Sequence, residues 1–274
     1  MTQEKPVELT PRHSPFQANS QTFPFWLVIM GALVGWMIFA VISNDAYNEA
    51  FTEIIPGLRS TLILTVGAFI SSLFLGLVIG LGRISKNPAI STISQLYIEF
   101  VRGVPMIVFI FFIALVMTPD AVDLWNWIFR SDVSTRTVSN MWRGWAALSL
   151  FYAAFIAEVV RAGVQSVEKG QIEAGTALGL SKRQVMVKIT LPQAIRNTFP
   201  ALGNDLIALM KDTSLVSVIA AAELTYEARI YQGSSFRIRE TFFILMVIYV
   251  VLTLTLSLIL RFFEKRMEIP GRQE

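Results

Sequence analysis

TFFILMVIYVVLTLTLSLIL, residues 241–260, is a run of twenty positions without a charge. A helix needs about 20 apolar residues to cross the hydrocarbon of a bilayer. This run supplies them, and neither proline nor glycine interrupts it. The pattern recurs along the chain: Phe25 to Ile42, Ser60 to Gly82, Gly103 to Pro119 (extended backwards by Leu96 to Val101), and Gly144 to Ala157, which continues through Glu158 towards Arg161. Phe199 to Ala222 is apolar but broken by Asp205, Lys211 and Asp212, and reads as an imperfect span. The expectation is an all-α, polytopic helical membrane protein with about six transmembrane helices.

Composition agrees. Of 274 residues, 54% are hydrophobic and only 16% charged, where a soluble domain carries about 25%. A net charge of +3 gives no basic footprint for nucleic acid. Cysteine is absent and His13 is the only histidine, which removes disulfides, thiolate chemistry and most zinc or haem sites. Met1 to Thr22 is polar with scattered proline and reads as a disordered tail. It lacks the early apolar core and small-residue cleavage site of a secretory signal, so the first apolar run is expected to remain in place.

Orientation follows from the basic residues of the loops. With six spans, both termini lie on one side. If that side is the cytoplasm, it holds Lys5, Arg12, Arg83, Lys86, Lys169, Lys182, Arg183, Lys188, Arg196, Lys265, Arg266 and Arg272. The opposite loops then hold Asp45, Glu49 and Glu53, followed by Asp120, Asp123 and Asp132 with a few arginines. Trp26, Trp36, Trp125, Trp127, Trp142 and Trp145 fall near span ends or in the second outer loop, as interfacial anchors do. Gly31 with Gly35, and Gly76 with Gly80, have the small-xxx-small spacing that lets helices approach closely.

Arg161 to Pro200 is too polar to span and reads locally as helix, turn, helix. Gln171 to Leu178 (QIEAGTAL) is a short helical run rich in small residues, and Gly179 can take the left-handed conformation that ends it. Ser181, with Gln184 three residues on, has capping-box spacing. The second helix runs through Val185, Met186 and Ile189, and Pro192 marks where it stops or kinks. From the pattern alone, this element is equally a docking helix or a plain surface connection.

Glu173-Ala174-Gly175, then Gly179, then Ile189-x-Leu191-Pro192 resembles the EAA motif of ABC importer permeases, with Gly175 in place of the usual alanine. The resemblance narrows to the polar amino acid branch of that family. It rests on Thr61-Leu62-x-Leu64-Thr65, Tyr97-Ile98-Glu99-Phe100-Val101-Arg102-Gly103-Val104-Pro105, Ala157-Glu158-x-x-Arg161, Gly170-Gln171-x-Glu173-Ala174, Leu191-Pro192-Gln193-Ala194, Lys211-Asp212-Thr213-Ser214-Leu215, Glu223-Leu224-Thr225 and Arg261-x-x-Glu264-Lys265-Arg266. It covers roughly Pro56 to Met267.

The resemblance implies a division of the chain. Residues 1–22 form a cytoplasmic tail, 23–57 an additional N-terminal helix and outer loop, 58–267 a five-helix type I importer domain with its coupling loop near 166–192, and 268–274 a C-terminal tail. It implies a bacterial cytoplasmic (inner) membrane location, with both termini inside. A pair of permease chains, identical or related, forms the pathway. Two copies of a separate ATPase bind ATP and Mg, and an extracytoplasmic binding protein delivers an amino acid for alternating access. Glu173, Ala174, Gly175, Leu178, Gly179 and Leu180 are then the coupling residues. The chain has no G-x-x-x-x-G-K-[ST] loop, so it is not expected to bind ATP itself. The resemblance leaves ATP hydrolysis to the partner, so no enzyme activity, cofactor or metal is expected on this chain.

Ionisable groups within spans usually face a cavity or a partner. Glu158 and Arg161 stand at i,i+3 spacing and can pair. Lys211, Asp212, Thr213 and Ser214 form a polar cluster that either lines a path or fixes packing by an ion pair. Phe151-Tyr152-Ala153 departs from the polar Asn-Ser-Gly-like triplet of many family members. A substrate face there would be more aromatic, favouring neutral or acidic polar amino acids, glutamate or glutamine or a broad range. Three other classes fit less well. A self-sufficient ion-driven carrier needs coupling carboxylates deep in the spans. A membrane enzyme needs a nucleophile with a base, or a metal site. A scaffold has no use for an EAA-like segment.

Overall fold

The computed structural model describes residues 25–267, so the tails at 1–22 and 268–274 lie outside the described residues. Among those described, every regular element is helical. They are α1 (Phe25–Ser43), α2 (Asp45–Ile54), α3 (Gly57–Arg83), α4 (Pro88–Gly103), α5 (Met106–Phe112), α6 (Thr118–Phe129), α7 (Asn140–Gln165), α8 (Lys169–Ala177), α9 (Lys182–Val185), α10 (Leu191–Asp212), α11 (Leu224–Ser235) and α12 (Ile238–Met267).

Four stretches are long and apolar enough to cross a membrane: Asp45–Arg83, Met106–Phe129, Asn140–Gln165 and Ile238–Glu264. The apolar stretch Val28–Ser43 of α1 is shorter. α10 lies against α7 and α12 and carries Arg196, Asp205 and Lys211, which make it less apolar than the four spans.

Three boundaries differ from the sequence expectation. Asp45, Glu49 and Glu53 lie on a helix, not in a loop. Asn44 caps α2, and Tyr47, Ala50 and Ile54 form its buried stripe while the acids face outward. Leu96 to Val101 belongs to α4, a separate helix from the span that follows. Pro105 has no N–H to donate and forces Val104 extended (φ −102°, ψ 134°), which ends α4. The imperfect span at Phe199–Ala222 is displaced. α10 starts at Leu191, accommodates Asp205 and Lys211 without a break, and passes after Asp212 into a 3-10 turn at Thr213–Ile219.

The helix of greatest enclosure is α7. In its most apolar window 56% of residues are buried, against at most 28% in the other three spans. Its principal neighbour is α3, and the contact runs over glycine. A Cβ on Gly76 would fall 2.6 Å from Ile156, and one on Gly80 would fall 2.7 Å from the Ala157 carbonyl. Within lipid, helices are held by close packing more than by hydrophobic exclusion, so these two glycines set the α3–α7 distance. Gly31 and Gly35 share the spacing but face open space. Around α7 the core joins Leu64 and Ala68 of α3, Phe109 and Ile110 of α5, Leu148 and Phe151 of α7, and Leu209 of α10.

A second cluster seats α1 and α2 on α11 and α12, through Tyr47, Ala50, Ile54, Leu224, Ala228, Ile244 and Ile248. Trp36 stands edge-on to Phe243 at 4.5 Å and to Tyr47 at 5.9 Å, so it is a packing residue as well as a half-exposed one. Arg237 closes this side with an ion pair to Glu49.

Candidate functional site

Residues 166–192 form a compact polar unit between α7 and α10. α8 ends in a Schellman arrangement. The Leu180 N–H reaches the Gly175 carbonyl at 3.1 Å, and the Gly179 N–H reaches the Thr176 carbonyl at 3.0 Å. Gly179 takes φ +80°, as its position in the sequence predicts. Ser181 then caps α9 with both bonds of the capping box to Gln184. Pro192 does not stop the helix. A π-turn at Met186–Thr190 takes up the irregularity, and the chain stays helical from α9 into α10.

The unit is tied to both spans. Gln193 donates to Gln171, and Asn197 donates to the Ser166 hydroxyl at 2.8 Å. Gly163 lies so close to Thr198 that a Cβ would overlap it. Of the six residues nominated here, Glu173, Ala174, Leu178 and Gly179 are exposed and Leu180 is half-buried. Leu178 stands out, with 83% of its surface free. Gly175 faces the other way. It is buried, and a Cβ there would meet Ile189 Cδ1 at 2.5 Å. Its smallness therefore serves the crossing of α8 over the π-turn, not the exposed face. Because Ile189 Cδ1 ends a flexible side chain, Gly175→Ala is expected to cost less than about 1 kcal/mol, and Gly175→Phe about 3 kcal/mol. Thermal unfolding of the two variants checks the contrast.

The second candidate region lies along α7. Tyr152 donates its hydroxyl to Asp212 Oδ2 at 2.7 Å, which joins α7 to the end of α10. The aromatic row continues to Phe155, 6.1 Å from Tyr152 between ring centroids. The Arg102 guanidinium then lies 5.7 Å over the Phe155 ring. Further along α7, Arg161 pairs with Glu158 at 2.7 Å and donates to Gln165. Tyr152–Asp212 is the cross-helix contact of the polar cluster, rather than an ion pair through Lys211, which is exposed. Phe151 and Thr213 are core residues: Phe151 packs on Phe109, and the Thr213 hydroxyl donates to the Met210 carbonyl. Ser214 is half-buried.

Sequence reading missed the contribution of Arg102 and Phe155. Arg102 is some fifty positions from Phe155, and no local spacing announces the contact. Asp205, which the sequence marks only as a break in the apolar run, has its Oδ2 buried with no hydrogen-bond partner among the described residues. Of the recurring segments, Tyr97 anchors α4 to α7 by donating to the Leu150 carbonyl at 2.6 Å.

Residues 72–269 match the family described as the binding-protein-dependent transport system inner membrane component. The chain belongs to this family. It is therefore a membrane-embedded permease component and not itself a catalyst, and membership implies ATPase and binding-protein partners. Among curated relatives, the chain is 36% identical over 225 residues to the glutamine transport system permease protein GlnP of Escherichia coli (strain K12), covering 82% of this chain and 97% of the relative. It is 34% identical over 224 residues to the probable amino-acid permease protein YxeN of Bacillus subtilis (strain 168), covering 82% and 95%. Among solved structures, a chain from the crystal structure of an amino acid ABC transporter with histidines superposes with a TM-score of 0.68 at 36% identity, over 82% of this permease and 97% of that chain. The MetNI methionine ABC transporter in an inward-facing form shares the fold, with a TM-score of 0.63 at 19% identity, over 79% of this permease and 97% of that chain.

Proposed function

We propose that this permease imports polar amino acids, of the glutamine or glutamate type or a broader range, across the cytoplasmic membrane by alternating access, and that ATP hydrolysis takes place in two copies of a separate ATPase. The observation that carries the reading is the exposed, glycine-terminated helix α8. Its free apolar residue Leu178 and its tie to both α7 and α10 suit a lever docked in a groove of a partner. Glu173, Ala174, Leu178 and Gly179 form the docking face, Leu180 backs it, and Gly175 lets α8 lie close on Ile189. The basic residues around α8 and α9 support a cytoplasmic place for this end, and both termini are proposed to lie on that same side. A second permease chain, the same or a paralogue, completes the pathway. Residues 58–267 form the transporting domain, and α1 is an addition packed on α12.

Within the membrane, the row Asp212, Tyr152, Phe155, Arg102 places a carboxylate at one end and a guanidinium at the other. A zwitterionic amino acid presents the complementary pair. Lys211 and Ser214 flank the carboxylate end, and Glu158 flanks the path beyond Phe155. The reading is tested in proteoliposomes that hold this chain, its cognate ATPase and its binding protein, with a panel of amino acids. ATP-dependent uptake of glutamine or glutamate is expected. Asp212→Asn, which weakens the charge-assisted bond to Tyr152, is expected to lower uptake about tenfold. Uptake that ignores ATP, or a panel without an amino acid substrate, contradicts the proposal.

A further inference from the structure

Among the described residues, Glu223 is the one charged side chain that the fold encloses completely, with 0% of its surface exposed. Locally its task is modest: Glu223 caps α11 by accepting the Tyr226 N–H on Oε1 at 2.9 Å. A serine or aspartate caps a helix equally well. The other oxygen does something capping does not need. Oε2 accepts the Tyr249 hydroxyl of α12 at 3.0 Å and the Thr61 hydroxyl of α3 at 3.5 Å. The Thr61 oxygen in turn accepts the Leu224 N–H at 3.1 Å, and the Thr225 hydroxyl stands 3.1 Å from that of Tyr249. Three helices that are distant in sequence thus meet on one carboxylate, whose donors here are neutral. Gly57 lets α3 press in: a Cβ there would fall 2.7 Å from the Leu224 nitrogen. Burying a carboxylate costs several kcal/mol unless its oxygens are well satisfied, so this cluster is organised around Glu223.

Its position relative to the pathway gives the cluster a task. Asp212 passes directly into the 3-10 turn Thr213–Ile219, which ends at Ala220 in the left-handed region, φ 57°. Only a short stretch without slack therefore separates Asp212 from Glu223. The Arg229 guanidinium of α11 also donates to the Ser217 carbonyl of this turn at 3.4 Å. Between the end of the turn at Ile219 and Glu223 only Ala220, Ala221 and Ala222 intervene.

We propose that Glu223 is a positioning residue that locks the pathway segment Asp212–Ser214 to α3 and α12, so that the end of α10, α11 and the start of α3 move as one body. Its effect on transport rests on the ATP-driven reading above; its effect on local rigidity does not. Two measurements separate these. In proteoliposomes of the complete transporter, Glu223→Gln and Tyr249→Phe are each expected to lower the amino acid carried per ATP hydrolysed about tenfold. The double variant is expected to be no worse than the poorer single one, because both remove the same lock. In the full-length permease alone in lipid nanodiscs, amide hydrogen exchange across residues 213–226 is expected to rise about tenfold in Glu223→Gln. Unchanged exchange overturns the lock. Unchanged carriage per ATP, with uptake and hydrolysis falling together alongside the unfolding temperature, overturns its transport role and leaves Glu223 as a packing residue. If the wild-type assembly shows no ATP-dependent uptake, the transport reading fails and the exchange result alone decides the lock.

Discussion

Gly179→Glu is expected to abolish ATP-driven uptake, with a loss of about 100-fold or more, as for a central interface residue. Two costs combine. At φ +80° any residue with a Cβ is strained, by about 1–2 kcal/mol, and the strain falls on the hydrogen bonds that end α8. Glutamate also adds length and a negative charge next to exposed Leu178. Open space surrounds Gly179 in the isolated chain, so the permease itself has room for the side chain and the collision is with a partner. Gly179→Ala separates the costs, because it carries the backbone strain without the bulk. It is expected to retain a substantial part of the activity. ATP hydrolysis by the assembled transporter, with and without loaded binding protein, gives the measurement.

Gly80→Leu is expected to be strongly destabilising. The Ala157 carbonyl and Val160 already approach the Gly80 Cα so closely that even one Cβ would lie 2.7 Å and 2.9 Å from them. One of these is backbone, which cannot rotate away. A leucine must push α3 from α7 along the principal contact of the fold, at a cost of about 3 kcal/mol or more. The midpoint of thermal unfolding should fall by about 10 °C. Gly35→Leu is the matched control. It introduces the same side chain on a face with nothing within 4 Å and should leave the midpoint unchanged.

These two glycines also show what a sequence can disclose. Gly31-x-x-x-Gly35 and Gly76-x-x-x-Gly80 are identical patterns, yet only the second meets a helix, because spacing records a smooth face and not what lies opposite. The apolar runs located α3 and α12 because those helices spend much of their surface on lipid, and α7 because its apolar residues fill the core. α10 escaped a clean reading because α7 and α12 pack against it, which lets it carry the half-buried Asp205. α2 was read as loop because its acids dominate a short segment, although Tyr47, Ala50 and Ile54 already had helical spacing. Leu96 to Val101 was joined to the wrong helix for want of weight given to Pro105. In the α8–α9 unit the local chemistry was fully legible, since a left-handed glycine and a capping box are properties of neighbouring residues. The inward-facing role of Gly175, the Arg102–Phe155 stack and the Glu223 cluster depend on partners up to 163 positions apart, beyond the reach of local pattern.

The absence of cysteine from the chain allows the central claim, that α8 docks on a separate ATPase, to be tested at one atom. Leu178→Cys places the only thiol of the permease at the tip of the proposed docking face, and Ser131→Cys places one beyond α6, at the opposite end. Each variant is assembled with a cysteine-free form of the ATPase and treated with a short thiol-to-amine crosslinker. The account predicts a permease–ATPase adduct from Cys at 178, changed in yield by ATP, and none from position 131. An ATPase adduct from position 131, or its absence from position 178 in a complex that hydrolyses ATP in response to loaded binding protein, would contradict it.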